Sequence, residues 1–85
     1  MTFSLAANVS ATDADGGMVL LDEHTGRYWA LNTTGATVLR VLLDGGTPEQ
    51  AVEGLCRTHP SASARIPADV AALMRSLEDA EVVVS

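Results

Sequence analysis

The sequence predicts an α+β fold in which a three-stranded antiparallel sheet is followed by three helices. Three observations point to it. Short apolar segments separated by turn residues fill the first third of the chain, and two of them are joined by a short Gly-containing loop. From Asn32 onward apolar residues recur at helical spacing, with start and stop signals around each run. The chain has 85 residues, 47% of them hydrophobic. A chain of this size buries roughly 60–65% of the surface its unfolded form exposes, enough for one modest core. Residues 1–85 are therefore read as a single domain.

Phe3 to Val9 (FSLAANV) alternates. Phe3, Leu5, Ala7 and Val9 share one face, with Ser4 and Asn8 on the other, which predicts a first strand. Ser10 to Gly17 reads as a polar connector, with Asp13, Asp15 and the Gly16-Gly17 pair as breakers. Met18 to Asp22 is apolar on both faces, the pattern of a central strand covered on both sides. Glu23-His24-Thr25-Gly26 makes a short hairpin loop in which Gly26 can supply a positive φ. Arg27 to Leu31 is the third strand. Arg27, Trp29 and Leu31 point one way, Tyr28 and Ala30 the other, and this strand holds two of the three aromatic residues of the chain.

Asn32 is an N-cap residue for a helix from about Thr33 to Asp44. Its apolar positions are Val38, Leu39, Val41, Leu42 and Leu43, and Gly45-Gly46 stops it. Gly35, inside its first turn, costs about 1 kcal/mol of helix propensity relative to Ala, which a close backbone approach to the sheet would account for. Thr47-Pro48-Glu49-Gln50 combines a cap, a proline at the first helical position and a capping-box Gln. In this second helix Ala51, Val52, Leu55, Cys56 and His59 form one face, and Pro60 ends it. Ser61 to Ile66 reads as a polar linker. Pro67 opens the third helix, which runs to about Ala80 with Val70, Leu73, Met74, Leu77 and Ala80 in one amphipathic stripe. Val82-Val83-Val84 forms a short final strand or an ordered tail. The layout is winged-helix-like, with the strands first.

Several function classes lose support. The longest apolar runs fall far short of the ~20 residues of a membrane span. The N-terminus lacks a basic region followed by an apolar one, so no signal peptide is expected, and the cytoplasm is. Cys56 is the single cysteine; it follows Val52 by one helical turn and reads as a core thiol in a reducing compartment. Net charge is −6, and the only basic side chains, Arg27, Arg40, Arg57, Arg65 and Arg75, are dispersed, which disfavours a nucleic-acid face. A metal site needs several ligands at defined spacing; His24, in a turn, and His59, at a helix end, read as surface or capping residues. The carboxylate pairs Asp13/Asp15, Asp22/Glu23 and Glu78/Asp79 read as solvated charge. The glycine pairs match no phosphate-binding fingerprint. No enzymatic activity, metal or cofactor is expected.

A sheet this small must have edges, and the third strand is a candidate. An exposed edge offers unpaired N–H and C=O groups to which another chain can add a strand. The same edge is open to a second copy of the chain, as a weak homodimer. If the third helix lies alongside, Val70, Leu73, Met74 and Leu77 form the apolar wall of a groove, and methionine adapts to varied contacts there. A stripe at this spacing is also how a core is built. Tyr28 and Trp29 point to opposite faces, so at least one of them packs against helices.

The run from Leu21 to Leu42, L-D-x-x-T-G-R-Y-W-A-L-N-x-T-G-A-x-V-L-x-x-L, resembles the PqqD-like family, also called RiPP recognition elements. The helix start at Thr47 to Gln50 and the amphipathic third helix fit as well, so the resemblance spans about Gly17 to Ala80. Within the family, a stand-alone acidic chain of this length is most similar to the leader-binding proteins of lasso peptide biosynthesis. The resemblance implies a non-catalytic protein that binds the leader segment of a ribosomally made precursor peptide as an extra strand. It would present that precursor to a separate leader peptidase of the cysteine protease type and to a macrolactam cyclase. Carried onto this chain, the docking strand is Arg27, Tyr28, Trp29, Ala30 and Leu31. The helical wall is Val70, Leu73, Met74 and Leu77, with a polar contact from Asp69. Leu21, Leu31, Asn32 and Gly35 match the family pattern and read as structural residues. Two alternatives stand beside this reading: the quinone-cofactor branch of the family, whose partner is a radical enzyme, and a winged-helix DNA-binding regulator.

Overall fold

Asp15 and Gly16 reverse the chain with φ of 47° and 84°, the left-handed pair that a two-residue hairpin turn requires. This turn joins β2 (Val9–Ala14) to β3 (Gly17–Asp22), and a longer loop joins β3 to β4 (Tyr28–Leu31). The three strands form an antiparallel sheet in the order β2-β3-β4. A separate two-stranded ribbon pairs β1 (Ser4–Leu5) with β5 (Val83–Val84). The computed structural model describes residues 3–84; residues 1, 2 and 85 of the predicted domain lie outside the described residues.

The α+β class and the three-stranded sheet preceding three helices are as the sequence predicts, but the first strand is drawn from different residues. The predicted strand Phe3 to Val9 breaks at a turn through Ala7 and Asn8, so Ala7 is exposed; Ser4 and Leu5 before the turn pair with β5, and Val9 after it begins β2. The predicted connector Ser10 to Gly17 is mostly strand, because Asp15-Gly16 folds Val9–Ala14 back along β3 in register, Val9 facing Asp22 and Ala14 facing Gly17. Val82 to Val84 resolves in favour of a strand, with Val82 accepting a hydrogen bond from the Ala6 N–H at 2.9 Å just before β5.

Register sorts the side chains of β3 and β4. Leu20 faces Trp29 and Met18 faces Leu31 on the inner side, while Leu21 faces Tyr28 and Val19 faces Ala30 on the outer side. Met18 and Leu20 are buried under the helices. The outer side is not covered as the sequence predicts: Leu21 is 39% exposed and Tyr28 70%. Gly17 has no room for a side chain, since a Cβ there would collide with the Leu31 carbonyl, and this close approach seats the end of β4 against β3.

The described residues contain three α-helices, α1 (Thr33–Leu43), α2 (Pro48–Thr58) and α3 (Ile66–Asp79), with a 3-10 turn at Pro60–Ala62 inside the predicted linker. Their ends follow the cap signals. Asn32 Oδ1 accepts from the Gly35 N–H at 2.8 Å. The Thr47–Gln50 capping box is complete, with the Gln50 N–H on Thr47 Oγ1 at 3.1 Å and the Thr47 N–H on Gln50 Oε1 at 2.9 Å. At the end of α3 the Val82 N–H reaches the Leu77 carbonyl at 3.2 Å and the Glu81 N–H the Glu78 carbonyl at 3.0 Å. That is the Schellman pattern, and it puts Glu81 at φ 61°.

α1 sits between two cores. Ala36 and Leu39 face the sheet, packing with Val9, Met18, Leu20, Leu77, Val82 and Val83. Val38 and Leu42, on the other flank, pack with Ala51 and Leu55 of α2 and Ile66, Val70 and Met74 of α3. Leu73 is half-buried and touches both clusters. Each fully buried Leu or Val contributes about 1.5–3 kcal/mol, so Leu20, Leu39, Leu42 and Val38 anchor both sides of this central helix.

Candidate functional site

β4 ends the sheet, and its hydrogen bonding shows which peptide groups are free. The Asp22 N–H donates to the Arg27 carbonyl at 2.8 Å, and the Glu23 N–H to the Asn8 carbonyl at 2.8 Å. Along an antiparallel strand the direction of bonding alternates residue by residue. Met18, Leu20 and Asp22 of β3 thus turn their N–H and C=O groups to the β4 side, and Gly17, Val19 and Leu21 turn theirs to β2. By the observed register, Trp29 and Leu31 are paired to β3, while the N–H and C=O groups of Tyr28 and Ala30 point out of the sheet.

The two sheet edges differ in chemistry. On β2, Asp13 is held by Arg40 of α1 at 2.6 Å, and Asp15 is exposed in the adjoining turn. Both partners are solvent-exposed, so the pair adds little stability, but charge on an edge deters strand addition. On β4 the side chains are Tyr28, Trp29, Ala30 and Leu31. Arg27 stands just before the strand, with its guanidinium 5.2 Å from the centre of the Trp29 ring. The predicted third strand, Arg27 to Leu31, is observed as Tyr28–Leu31, with Arg27 at the end of the preceding loop.

That loop is fastened by Asp22. Its carboxylate Oδ1 accepts from Asn8 Nδ2 at 2.9 Å, from the His24 N–H at 2.9 Å and from the Thr25 N–H at 3.3 Å. The Asn8 bond, aided by the backbone donors of His24 and Thr25, lowers the Asp22 pKa below the ordinary carboxylate value.

Beyond the Leu31 end of β4 lies a cavity of about 380 Å³ between the first turn of α1 and the start of α3. Gly35, Val38, Leu55, Ile66, Val70 and Leu73 give it an apolar floor, and Asn32, Thr34, Arg65 and Asp69 border it. Gly35 lies close to the end of β4, as the sequence suggests, and also close to α3. The atom nearest to where its Cβ would stand is Oδ1 of its own cap, Asn32, at 3.4 Å, with Leu31 Cβ at 3.5 Å and Leu73 Cδ2 at 3.6 Å. What the glycine leaves open is the cavity.

The structure brings some of the predicted wall residues together and turns others inward. Half-buried Leu73 lines the cavity together with Val70, which at 4% exposure is also part of the core between the helices, and Asp69 stands at the rim. Met74 is 8% exposed and Leu77 2%; both belong to the core, and Met74 borders a separate depression between α2 and α3. Trp29, Leu31 and Leu73 pack against the same cluster, which links the strand to the helix. The sequence reading missed Thr34, Val38, Leu55, Arg65 and Ile66 as lining residues. They come from three helices, and the only local signal was a glycine inside the first turn of α1. Among the described residues no helix is long and apolar enough to cross a membrane.

Residues 17–83 match the family model described as coenzyme PQQ synthesis protein D (PqqD). The chain belongs to the PqqD family. No curated protein matches the sequence. Among solved structures, this PqqD-family chain is similar to lasso peptide synthetase B1 complexed with the leader peptide, with 34% identity over 100% of both chains and a TM-score of 0.89. It is also similar to TbiB1 in complex with the TbiA(beta) leader peptide, with 25% identity over 98% of this chain and 94% of that one and a TM-score of 0.82. The PqqD-like resemblance drawn from Leu21 to Leu42 therefore holds, and β4 and all three helices fall within the matched span.

Proposed function

We propose that this chain binds the leader segment of a ribosomally synthesised precursor peptide as a fourth strand on β4. The observation that carries this is the open edge at Tyr28 and Ala30, which runs directly into an apolar cavity beside α3. Backbone pairing supplies affinity with little demand on sequence, and the cavity supplies selectivity by taking an apolar side chain. Leader complexes of two similar structures support the reading and favour the lasso branch over the quinone-cofactor branch. Arg27, Tyr28, Trp29, Ala30 and Leu31 are the docking strand. Leu73 and Val70 are the apolar wall, and Asp69 is a polar neighbour. Met74 and Leu77 support the wall from within the core.

In this reading the chain is a carrier in the cytoplasm rather than an enzyme. It hands the precursor to a separate cysteine-type leader peptidase and to a macrolactam cyclase. Without a peptide, the same edge is open to a second copy, so self-pairing and leader binding compete. A leader that is disordered when free must be ordered on binding, which lowers affinity for the area buried.

The test is amide hydrogen exchange with and without a synthetic leader from a neighbouring precursor gene. Tyr28 and Ala30 should gain protection at saturation, while Trp29 and Leu31, already paired to β3, should change little. Unchanged exchange at Tyr28 and Ala30 under saturating leader would refute the strand-addition reading.

A further inference from the structure

Arg27 stands at the Tyr28 end of β4, away from the cavity. Its backbone is fixed on both sides: the Arg27 N–H bonds Thr25 Oγ1 at 3.2 Å, and its carbonyl takes the Asp22 N–H at 2.8 Å. Asp22 is thus its partner across the ladder. Alternate residues of a strand share a face, so Arg27 projects from the same inner side as Trp29 and Leu31. There its guanidinium lies 5.2 Å from the centre of the Trp29 ring.

This guanidinium has no carboxylate of its own. Asp22 commits Oδ1 to Asn8 and to the His24 and Thr25 amides. Among the described residues the ion pairs are Arg40 with Asp13 and Arg57 with Glu53, so Arg27 is left unpaired. It is also exposed. Stacking on an aromatic ring uses the flat of the guanidinium and leaves its N–H edges open to a carboxylate.

The edge geometry says where a peptide would meet it. Tyr28 and Ala30 turn their peptide groups out of the sheet, so in an antiparallel fourth strand they form the hydrogen-bonded pairs. Arg27, Trp29 and Leu31 then fall at the non-hydrogen-bonded positions, where facing side chains come closest. The leader residues that face Leu31 and Arg27 are four apart. On a chain of net charge −6, an unpaired guanidinium marks the place along this strand where an acidic side chain gains a charge-assisted bond.

We propose that Arg27 is a specificity residue for an acidic leader side chain. It pairs with an Asp or Glu on the inner face of the added strand, four residues from the leader residue that faces Leu31. The inference rests on the peptide-binding reading above.

The experiment uses two series of synthetic leader peptides, with Glu or Gln placed in turn at each position of the paired segment and its flanks. Each peptide is titrated calorimetrically into the unaltered chain, Arg27→Gln and Arg27→Glu, at low and high salt. Circular dichroism checks that both variants fold. At one position Glu should bind the unaltered chain about two- to fivefold more tightly than Gln at low salt. That preference should disappear in Arg27→Gln, reverse in Arg27→Glu and shrink at high salt. Nuclear Overhauser contacts should place the leader residue four positions away against Leu31. A Glu preference that is the same in all three proteins, or none at any position, would overturn the inference. Absence of binding by every peptide to the unaltered chain would instead bring down the peptide-binding reading itself.

Discussion

Leu73 of α3 and Gly35 of α1 meet across the floor of the cavity, the leucine Cδ2 lying 3.6 Å from where a Cβ on residue 35 would stand. The distance is an ordinary contact, so a single methyl fits and a larger side chain fills the cavity. Gly35→Ala should raise stability by about 1 kcal/mol through helix propensity. In a domain of this size that corresponds to a rise in Tm of about 4–8 °C. Gly35→Leu should keep the fold and abolish leader binding. Thermal melts and titration followed by Trp29 fluorescence check both, and an undiminished affinity in Gly35→Leu would count against the cavity as the anchor site.

Leu73 and Leu77 belong to the same helical stripe yet should respond differently to the same change. Leu73 is half-buried at the cavity, whereas Leu77 is 2% exposed in the sheet-side core. Leu73→Asp should leave a folded protein that no longer takes up the leader. Leu77→Asp should unfold the domain, because an uncompensated carboxylate would replace a core side chain. Circular dichroism and the Trp29 titration, run on both variants, separate the two outcomes.

Glu81 occupies the left-handed position of the Schellman motif, at φ 61°. Glycine adopts this conformation without steric cost. The carboxylate also sits unfavourably close to the negative end of the α3 dipole. Glu81→Gly should therefore stabilise the fold by about 1 kcal/mol and leave leader affinity unchanged. Chemical denaturation of the pair measures this; a destabilised Glu81→Gly would mean that the glutamate has a contact outweighing the strain.

Asp22 holds the loop that leads into β4, and its pKa is lowered chiefly by the Asn8 side-chain bond. A depressed native pKa means that the unfolded chain takes up the proton first as pH falls. The stabilisation from this carboxylate is complete above the unfolded pKa and is lost as pH drops through the native value. Asp22→Asn should remove that part of the acid sensitivity. An NMR titration should place the Asp22 midpoint below the ordinary carboxylate value. An ordinary midpoint would show that the Asx-type turn does not hold in solution.

Much of this architecture is local in origin and therefore legible in the chain. Asn32, the Thr47–Gln50 box and the aromatic strand Tyr28–Leu31 each act on residues within one turn or one pairing step. β2 was not legible, because VSATDA is small and polar and lies at an edge where no apolar alternation is demanded. Its evidence was the Asp15-Gly16 dipeptide, which marks a tight hairpin as readily as a break. The exposure of Leu21 and Tyr28 could not be read from β3, since apolar residues on both faces fit a covered strand equally well. The cavity was least visible of all. Leu55, Arg65 and Thr34 are far apart in sequence and meet only when α2 and α3 fold against α1.

The ribbon of β1 and β5 has a practical corollary. Ser4 faces Val84 across that ribbon, so a module fused to either end of the described chain departs from the same spot on the surface. Swapping a tether from one end to the other would leave the geometry between carrier and cargo nearly unchanged. A short linker joining the two ends, with new ends opened in an exposed loop such as Gly45-Gly46, would yield a circular permutant that retains the groove.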